Sequence, residues 1–511
     1  MDWATGPLIV GWIFVLIWVP LVVVTQRKTH PRALFTLFFA ELWERFSFYG
    51  MRALLVLYMT KVLFEKMEQG EADALSYGIY GAFNALLYGT PVIGGMLADR
   101  LLGFRRAVII GGFFMALGQF TLAGTIGNET AFFVGLALLV VGNGMFKPNI
   151  SSFLGEFYDK DDPRKDGGFT IFYMGINIGA FLSPLTCGYL GEQIGWEYGF
   201  LAAGVGICIG VFVFWHKMRD FDDKGLPPKP EAIHAPMFFG LGGQTTVLLG
   251  CLLSIPLIAV LLSQETVVSW ILIVAGIGIL GYLVLSSVTS DDQVSGQRLL
   301  VVVVLFFFHM IFWTLFEQAG ASLTLFTERY VDRHGIPTSQ FQALNPFYIM
   351  VLAPVFSWIW IRLRKTGKEP RTPMKFVLGL VQMAAGYAVI VWGASQAGEA
   401  AIPLIFLAVM YLLHTTGELS LSPVGLSVVT KLSPTKVVGF VMGTWFLSIG
   451  FAHKIAGELG KLAASPKDGD AGGMAAFTDM YWTWGVLVVL GSALFLFVLS
   501  PILKKWMHDV H

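Results

Sequence analysis

The sequence predicts an all-α protein that crosses a membrane many times, because it is unusually apolar and its apolar residues occur in long runs. Of its 511 residues, 55% are hydrophobic and only 13% are charged, and the mean hydropathy is +0.69. A soluble domain has about 25% charged residues and needs polar cover even when it packs well. Most of this chain is therefore expected to face lipid. Lys and Arg number 34 and Asp and Glu number 34, so no basic excess points to nucleic acid.

Fifteen stretches of the chain are long and apolar enough to span a bilayer, which takes about 20 residues. They are residues 7–25, 33–62, 74–96, 106–126, 130–155, 168–190, 195–216, 240–262, 268–288, 299–327, 341–362, 375–395, 402–430, 438–460 and 480–503. The first stretch could also be a signal peptide. It lacks a basic start and a small-residue cleavage site, which favours a retained helix.

Polar segments divide the chain into four predicted parts. Residues 1–29 form an extra N-terminal helix with a basic link, and residues 30–216 form a six-helix bundle. Residues 217–298 form a linker with two inserted helices, and residues 299–511 form a second six-helix bundle. Two six-helix halves are typical of transporters built from repeats, which bind their substrate between the repeats near mid-membrane.

The distribution of basic loops predicts the orientation in the membrane. Lys and Arg concentrate in alternate connections, such as 26–32, 100–106, 160–165 and 362–371, whereas connections such as 127–130 carry none. Basic loops stay in the cytoplasm. We therefore expect the C-terminus in the cytoplasm and the N-terminus, which has Asp2 and no basic residue before the first span, outside.

The second span carries the densest group of ionisable residues. Glu44, Arg45, Tyr49 and Arg52 follow Glu41 at spacings of three, four, eight and eleven residues, which puts them on one face of a helix. Two carboxylates beside one guanidinium leave a negative charge in excess, and in a low-dielectric site the surplus carboxylate should be able to bind a proton. The alternative is a structural ion cluster that ties helices together.

Three other spans carry isolated charges, namely Lys147, Glu317 and Glu418. An ionisable side chain inside a membrane is expensive, and a buried charge needs a partner from another helix. A pair between Lys147 and Glu317 would link protonation to gating. The alternative for each residue is a wet cavity in which it has no specific role.

The histidines and cysteines in the spans predict no metal site and no cofactor. His309, His414 and His453 lack the spacing of metal ligands and are expected to pack in the core or line a cavity. The three cysteines are expected to pack as small hydrophobic residues. Lys454 lies near the end of its span, from which its amine is expected to reach the membrane interface.

Four segments together resemble the proton-dependent oligopeptide transporter (POT) family of the major facilitator superfamily, in its bacterial type. They are ELWERF at 41–46, GMLADRLLGFRR at 95–106, FYMGINIGAFLS at 172–183 and GELSLSPVGLS at 417–427. The second segment alone would mark only the superfamily, but the four in this order are specific. The resemblance extends from about His30 to the C-terminus.

This resemblance implies a major facilitator fold of two six-helix bundles with two inserted central helices, here with an extra N-terminal helix. It implies a proton-coupled symporter, not an enzyme, that imports di- and tripeptides by alternating access across the cell inner membrane. The implied partners are a peptide, a proton and the lipid bilayer, with one copy of the chain sufficient. A transporter of the same fold for a non-peptide substrate, such as nitrate or a drug, is the alternative.

The resemblance also implies roles for individual residues. The proton-coupling residues would be Glu41, Glu44, Arg45, Lys147 and Glu317, and the gating loop would contain Asp99 and Arg100. The substrate-binding residues would be Tyr49, Arg52, Tyr88, Lys147, Asn177, Trp313, Asn345, Glu418, Ser422 and Trp445. Two features depart from the family pattern: Phe48 stands where a tyrosine is frequent, and residues 7–25 have no counterpart among the usual fourteen helices.

Overall fold

The computed structural model describes residues 3–159, 161–238, 240–290, 292–398, 400–434, 437–464, 466–467, 470–471 and 473–508. Asp2 and Lys160, on which the predicted orientation partly depends, lie outside these residues. The described chain is almost entirely helical, as the long apolar runs predict, because a backbone in lipid must satisfy its own hydrogen bonds.

The main helices are, in chain order, α1 Gly6–Gln26, α2 Arg32–Tyr58, α3 Gln69–Gly89, α4 Pro91–Leu97, α5 Phe104–Gly124, α6 Glu129–Gly155, α7 Lys165–Ser183, α8 Trp196–His216, α9 Gly243–Ser263, α10 Glu265–Val288, α11 Gln293–Phe316, α12 Ser322–Tyr330, α13 Leu344–Lys365, α14 Thr372–Ala397, α15 Leu404–Leu432, α16 Val438–Ala464, α17 Met474–Met480 and α18 Val489–Met507. Wider π-type turns occupy Met59–Leu63, Ala98–Leu102, Pro184–Gly188, Leu190–Ile194 and Tyr481–Val488, and 3₁₀ turns occupy Met218–Phe221, Pro230–Ile233, Glu317–Gly320 and Thr338–Ala343.

Strands are very short and form three two-stranded pairs. Antiparallel pairs join β1 Pro236–Phe238 to β2 Leu241–Gly242 and β5 Pro466–Lys467 to β6 Asp470–Ala471, and a parallel pair joins β3 Val331–Asp332 to β4 Ile402–Pro403. These strands lie in the connections between helices, so the framework of the protein consists of the helices.

Fourteen helical stretches among the described residues are long and apolar enough to cross a membrane. Each corresponds to one predicted span, including the first, which is the helix α1. The one predicted span without such a counterpart, residues 74–96, falls on α3 and α4, which are separated by a break at Thr90. The start of α3 carries Glu71 and Asp73, so it is less apolar than the other spans.

The described residues form two compact units. The first unit comprises Met1–Glu65, Leu86–Gln264 and His334–Pro346. In it α2 packs against α7 and α8, α5 packs against α6 and α8, and α9 packs against α6. Glycines allow the closest of these contacts: a Cβ on Gly111 of α5 would lie 2.6 Å from the carbonyl oxygen of Gly142 on α6.

The second unit comprises Lys66–Ala85, Glu265–Arg333 and Phe347–His511. Here α14 packs against α15 and α18, and α11 packs against α10 and α16. Charges inside this unit are paired across helices: Arg329 of α12 makes two hydrogen bonds to the carboxylate of Asp73 on α3, at 2.6 and 2.7 Å.

Lys454 differs from its sequence-based expectation. It is 4% exposed and pairs with Glu265, the first residue of α10, and with Glu458, 2.8 Å away. Lys461 also pairs with Glu265, at 2.6 Å. The amine therefore stays inside the unit, because a carboxylate from another helix compensates its charge there.

Candidate functional site

The predicted ion cluster of α2 is present and deeply buried. The Arg45 Nε atom lies 3.0 Å from Glu41 Oε1 and also contacts Glu44 Oε2. Glu41, Glu44 and Arg45 are at most 4% exposed. The helical spacing explains the geometry, because residues three and four apart lie side by side on a helix. Two carboxylates thus share one guanidinium away from water.

The helix α6 supplies a residue to this cluster that the sequence argument missed. The Asn143 side chain donates to Glu44 Oε1 at 3.3 Å and is fully buried. Asn143 lies four residues before Lys147, on the same face of α6, and this spacing was the signal that could have identified it. The amide is a neutral donor, so it orients the carboxylate without cancelling its charge.

A close contact between α2 and α7 fixes the position of the cluster. A Cβ on Gly179 would lie 2.2 Å from the Leu42 carbonyl oxygen and 2.9 Å from the Arg45 Cβ. Only glycine allows this approach. Asn177, two residues earlier, is buried and donates its side-chain amide to the Tyr173 carbonyl at 3.0 Å, so its side-chain oxygen remains the group that can accept from a ligand.

The other predicted residues of the first unit lie around cation–aromatic contacts. The Lys147 amine is 4.1 Å from the centre of the Tyr88 ring, and the Arg52 guanidinium is 5.6 Å from the Tyr49 ring. Aromatic faces attract cations without neutralising them.

Phe48, the departure from the family pattern, lies within this cluster. Its ring is buried and its centre is 5.7 Å from the Arg45 guanidinium and 5.1 Å from the Tyr49 ring. An aromatic ring without a hydroxyl therefore stands beside the ion cluster.

The predicted gating loop is an exposed turn at the end of α4. Asp99 and Arg100 are both exposed in the turn Ala98–Leu102. Gly103 follows with φ +73°, and a Cβ there would lie 2.6 Å from the Leu226 backbone. The next arginine, Arg105, donates to the Lys224 carbonyl at 2.7 Å and to the Asp222 carbonyl, which attaches the turn to the linker after α8. The gating role itself stays a prediction.

In the second unit, Trp313 and Trp445 are joined through a histidine. Trp313 Nε1 donates to His309 Nε2 at 2.8 Å, and His309 Nδ1 is 2.8 Å from Ser448 Oγ. The Ser448 hydroxyl donates to the Trp445 carbonyl at 2.6 Å. Since Nε2 accepts, Nδ1 carries the proton, so His309 is the neutral tautomer and both its nitrogens are engaged.

Glu317 has a partner that the sequence argument did not identify. Its Oε1 atom lies 3.5 Å from His453 Nε2, and both side chains are at most 3% exposed. The two residues come from distant parts of the chain and have no motif in common. Nothing in the sequence pairs them.

The remaining predicted residues fall in both units. Glu418 is 9% exposed and lies on α15 with Ser422, whose buried Oγ makes no hydrogen bond to a described residue. Gly425 on the same helix approaches Trp445, since a Cβ there would lie 2.7 Å from its ring. Asn345 is half-buried near the start of α13. Among the described residues, no group of three His, Cys, Asp or Glu side chains could hold a metal ion.

A helical framework of lipid-spanning length with ion clusters buried inside its spans defines a polytopic membrane transporter. Comparison with known proteins gives the family. The model of the POT family matches residues 105–475. Dipeptide and tripeptide permease A of Yersinia pestis is 34% identical over 91% of this chain and 91% of the permease. The peptide transporter YePEPT of Yersinia enterocolitica is 36% identical over 84% of this chain and 88% of that protein.

A solved structure of the peptide transporter POT in complex with sulfate agrees with these relatives. It is 34% identical, has a TM-score of 0.80, and the match covers 94% of this chain and 96% of that chain. The chain therefore belongs to the POT family. It is a multi-pass membrane transporter with the major facilitator fold, and it is not an enzyme.

Proposed function

We propose that this protein is a proton-coupled symporter that imports di- and tripeptides by alternating access. The observation that carries the proposal is the buried cluster of Glu41, Glu44 and Arg45, in which two acids share one base. Fully ionised, the three groups bear one surplus negative charge in a site with little water. One bound proton makes the cluster neutral, so the cluster favours taking up a proton.

The proposed substrate class matches the chemistry of the predicted binding residues. A short peptide is a zwitterion, and its carboxylate suits Arg52 and Lys147, whose cations lie over aromatic rings. Its ammonium suits the carboxylate of Glu418 and the amide oxygens of Asn177 and Asn345. Binding both ends of the peptide by opposite charges selects for length, while the side chains between the ends stay unspecified. Free amino acids are too short to satisfy both ends.

Coupling requires that proton and peptide together stabilise one of two conformations more than the other. Glu317 is the proton site of the second unit in this proposal, and Asp99 and Arg100 are the loop residues that stabilise one conformation. We place the protein in the cell inner membrane as a monomer, with the N-terminus outside and the C-terminus in the cytoplasm, because the basic connections alternate in that sense.

The deciding experiment measures uptake of labelled dialanine into proteoliposomes, with and without an inward proton gradient. The expected result is that the gradient stimulates dialanine accumulation. Unlabelled di- and tripeptides should inhibit this accumulation by competition, and free alanine should not. Liposomes without protein and protein-containing vesicles with a dissipated gradient are the controls. Absence of peptide flux in vesicles whose protein is folded and correctly oriented would overturn the peptide assignment and favour a non-peptide substrate, to be sought first around Phe48.

A further inference from the structure

An imidazole and a carboxylate face each other in the interior of the second unit. His453 Nε2 on α16 lies 3.5 Å from Glu317 Oε1, which follows the end of α11. Their side chains are 1% and 3% exposed. Because both groups are almost inaccessible to solvent, their charges are weakly screened, and the protonation state of each depends on that of the other.

A second buried histidine of this unit, His309, has a different environment. His309 lies on α11 and is held neutral by Trp313 on one ring nitrogen and Ser448 on the other. A proton added to it would have to displace the Trp313 donor. His453 instead presents a ring nitrogen to an acid. Of these two histidines, His453 is therefore the one placed to exchange a proton with Glu317.

Two lysines that follow His453 on its own helix are paired with carboxylates. On its own helix, Lys454 pairs with Glu265 and Glu458, and Lys461 pairs with the same two acids. These four formal charges sum to zero.

The helix α3, which also packs against His453, contributes a ring and a second charge pair. The Tyr80 ring centre is 6.2 Å from the imidazole. Near the start of that helix, Asp73 pairs with Arg329 of α12, and Tyr77 lies one turn further along. Both pairs are distinct from the Glu317–His453 contact.

We infer that His453 and Glu317 hold one proton between them, which makes His453 a proton-handling residue of the second unit. Without a proton, the pair bears the charge of the Glu317 carboxylate. With one proton, it is neutral overall, either as a carboxylic acid beside a neutral imidazole or as a carboxylate beside an imidazolium. The proton moves between Oε1 and Nε2, and no other bond changes. This inference depends on the proposed proton-coupled transport for its role in the cycle.

Histidine adds something that a neutral hydrogen-bonding residue would not. The imidazolium form attracts the carboxylate, so the pair keeps its proton to higher pH than Glu317 would beside an uncharged partner. Two groups that shift each other's pKa by more than about one unit titrate together and not separately. Replacing His453 with glutamine keeps much of the volume and a donor, and removes the second basic site.

The test compares wild type with His453→Gln and His453→Asn in proteoliposomes at external pH from about 5 to 8, the range in which histidine titrates. The expected result is that the alkaline limit of gradient-driven dialanine uptake moves to lower pH by about one unit, with counterflow exchange retained. The control is His414→Gln, a buried imidazole that packs on Tyr387, for which no displacement of the pH profile is expected.

A second readout separates this inference from the proposed function. Infrared difference titration detects the carboxylic acid band that Glu317→Gln removes, and it needs no substrate. In wild type the shared proton divides between the carboxylic acid and the imidazolium, so this band is expected to be weaker than in His453→Gln at the same pH. An unchanged infrared titration in folded variants would overturn the shared proton even if transport is proton-coupled. A displaced titration in a protein that moves no peptide would sustain the pair and reject the proposed function alone.

Discussion

Each acid of the α2 cluster can be neutralised with little change of shape. In Glu41→Gln or Glu44→Gln, the side chain still reaches Arg45, but the surplus charge that binds a proton is gone. We expect uptake of dialanine with a proton gradient to fall to the level without one, while counterflow exchange persists. The control is Glu68→Gln in an exposed connection, which should keep gradient stimulation. Uphill uptake retained in both cluster variants would contradict the coupling role.

A second residue-scale prediction concerns Glu369, in the connection between α13 and α14. Arg364 donates to its carboxylate at 2.7 Å and Lys375 donates to it at 2.6 Å, and these partners lower the pKa of Glu369 from 4.5 to about 2. A carboxylate whose pKa is lower in the folded state stabilises the fold fully above its unfolded pKa. That stabilisation is lost as pH falls through the folded pKa.

Glu369→Gln is therefore expected to lower the free energy of unfolding by about 1 kcal/mol at neutral pH, since partly exposed ion pairs are screened. The difference from wild type should shrink as pH falls from 4.5 towards about 2. Thermal unfolding of detergent-purified protein over that pH range measures it. A difference that stays constant with pH would show that the contacts stabilise by packing and not by charge.

At the scale of elements, the contact between α2 and α7 depends on the missing side chain of Gly179. In Gly179→Ala the new Cβ would lie 2.2 Å from the Leu42 carbonyl oxygen, so the helices must separate beside the ion cluster. We expect a loss of about 1–3 kcal/mol in the free energy of unfolding, typical of overpacking. The matched control is Gly278→Ala in α10, where nothing lies within 4 Å, and a slight gain is expected because alanine favours a helix. Equal effects at both positions would contradict the tight contact.

The extra helix α1 is attached to the first unit by a specific hydrogen bond. Trp12 Nε1 donates to Thr186 Oγ1 at 3.0 Å. Trp12→Phe and Thr186→Val are each expected to cost about 0.5–1.5 kcal/mol in unfolding free energy, and the double variant little more than either, because there is one bond to lose. Trp18→Phe is the control, since the Trp18 Nε1 atom donates to the weakly accepting sulfur of Met174. Additive losses would indicate that the two residues act independently.

The elements themselves could be predicted from the sequence, because each span is a local run of apolar residues. The face of α2 could be predicted as well, since helical periodicity relates Glu41 to Arg45 within one element. Contacts between elements could not. Two such contacts join residues far apart in the chain, namely His453 with Glu317 and Lys454 with Glu265. No local sequence pattern indicates which helices pack together. For Lys454, the sequence of its own helix could not indicate that another helix supplies a carboxylate partner.

At the scale of the whole molecule, two kinds of charge group can be distinguished by their balance. Two sets have equal numbers of acids and bases and join helices. One is Asp73 with Arg329, and the other is Lys454 and Lys461 with Glu265 and Glu458. The cluster of α2 is unbalanced, with two acids to one base. Balanced sets keep their charge throughout a transport cycle, whereas an unbalanced one gains stability by binding a proton. In the proposed function, this difference separates residues that maintain the fold from those that exchange protons.

The final prediction follows from the charge that the whole molecule moves per cycle. Dialanine is a zwitterion, so its import with one proton carries one positive charge inward. A membrane potential of 100 mV, negative inside, contributes about 2.3 kcal/mol per charge, which corresponds to about 50-fold in the accumulation ratio, since 1.4 kcal/mol is tenfold. Uptake in proteoliposomes with a potassium-diffusion potential and no pH difference measures this contribution.

An anionic peptide of the same length, alanyl-glutamate, is the matched control for that experiment. With one proton it crosses as a neutral pair, so its accumulation should not respond to the potential, whereas that of dialanine should. An accumulation ratio for dialanine near the square of the value expected for one charge would indicate two protons per peptide. This is expected if the α2 cluster and the Glu317–His453 pair each bring in one proton. Accumulation of dialanine that is independent of the potential would contradict proton symport, because no charge would then accompany the zwitterion.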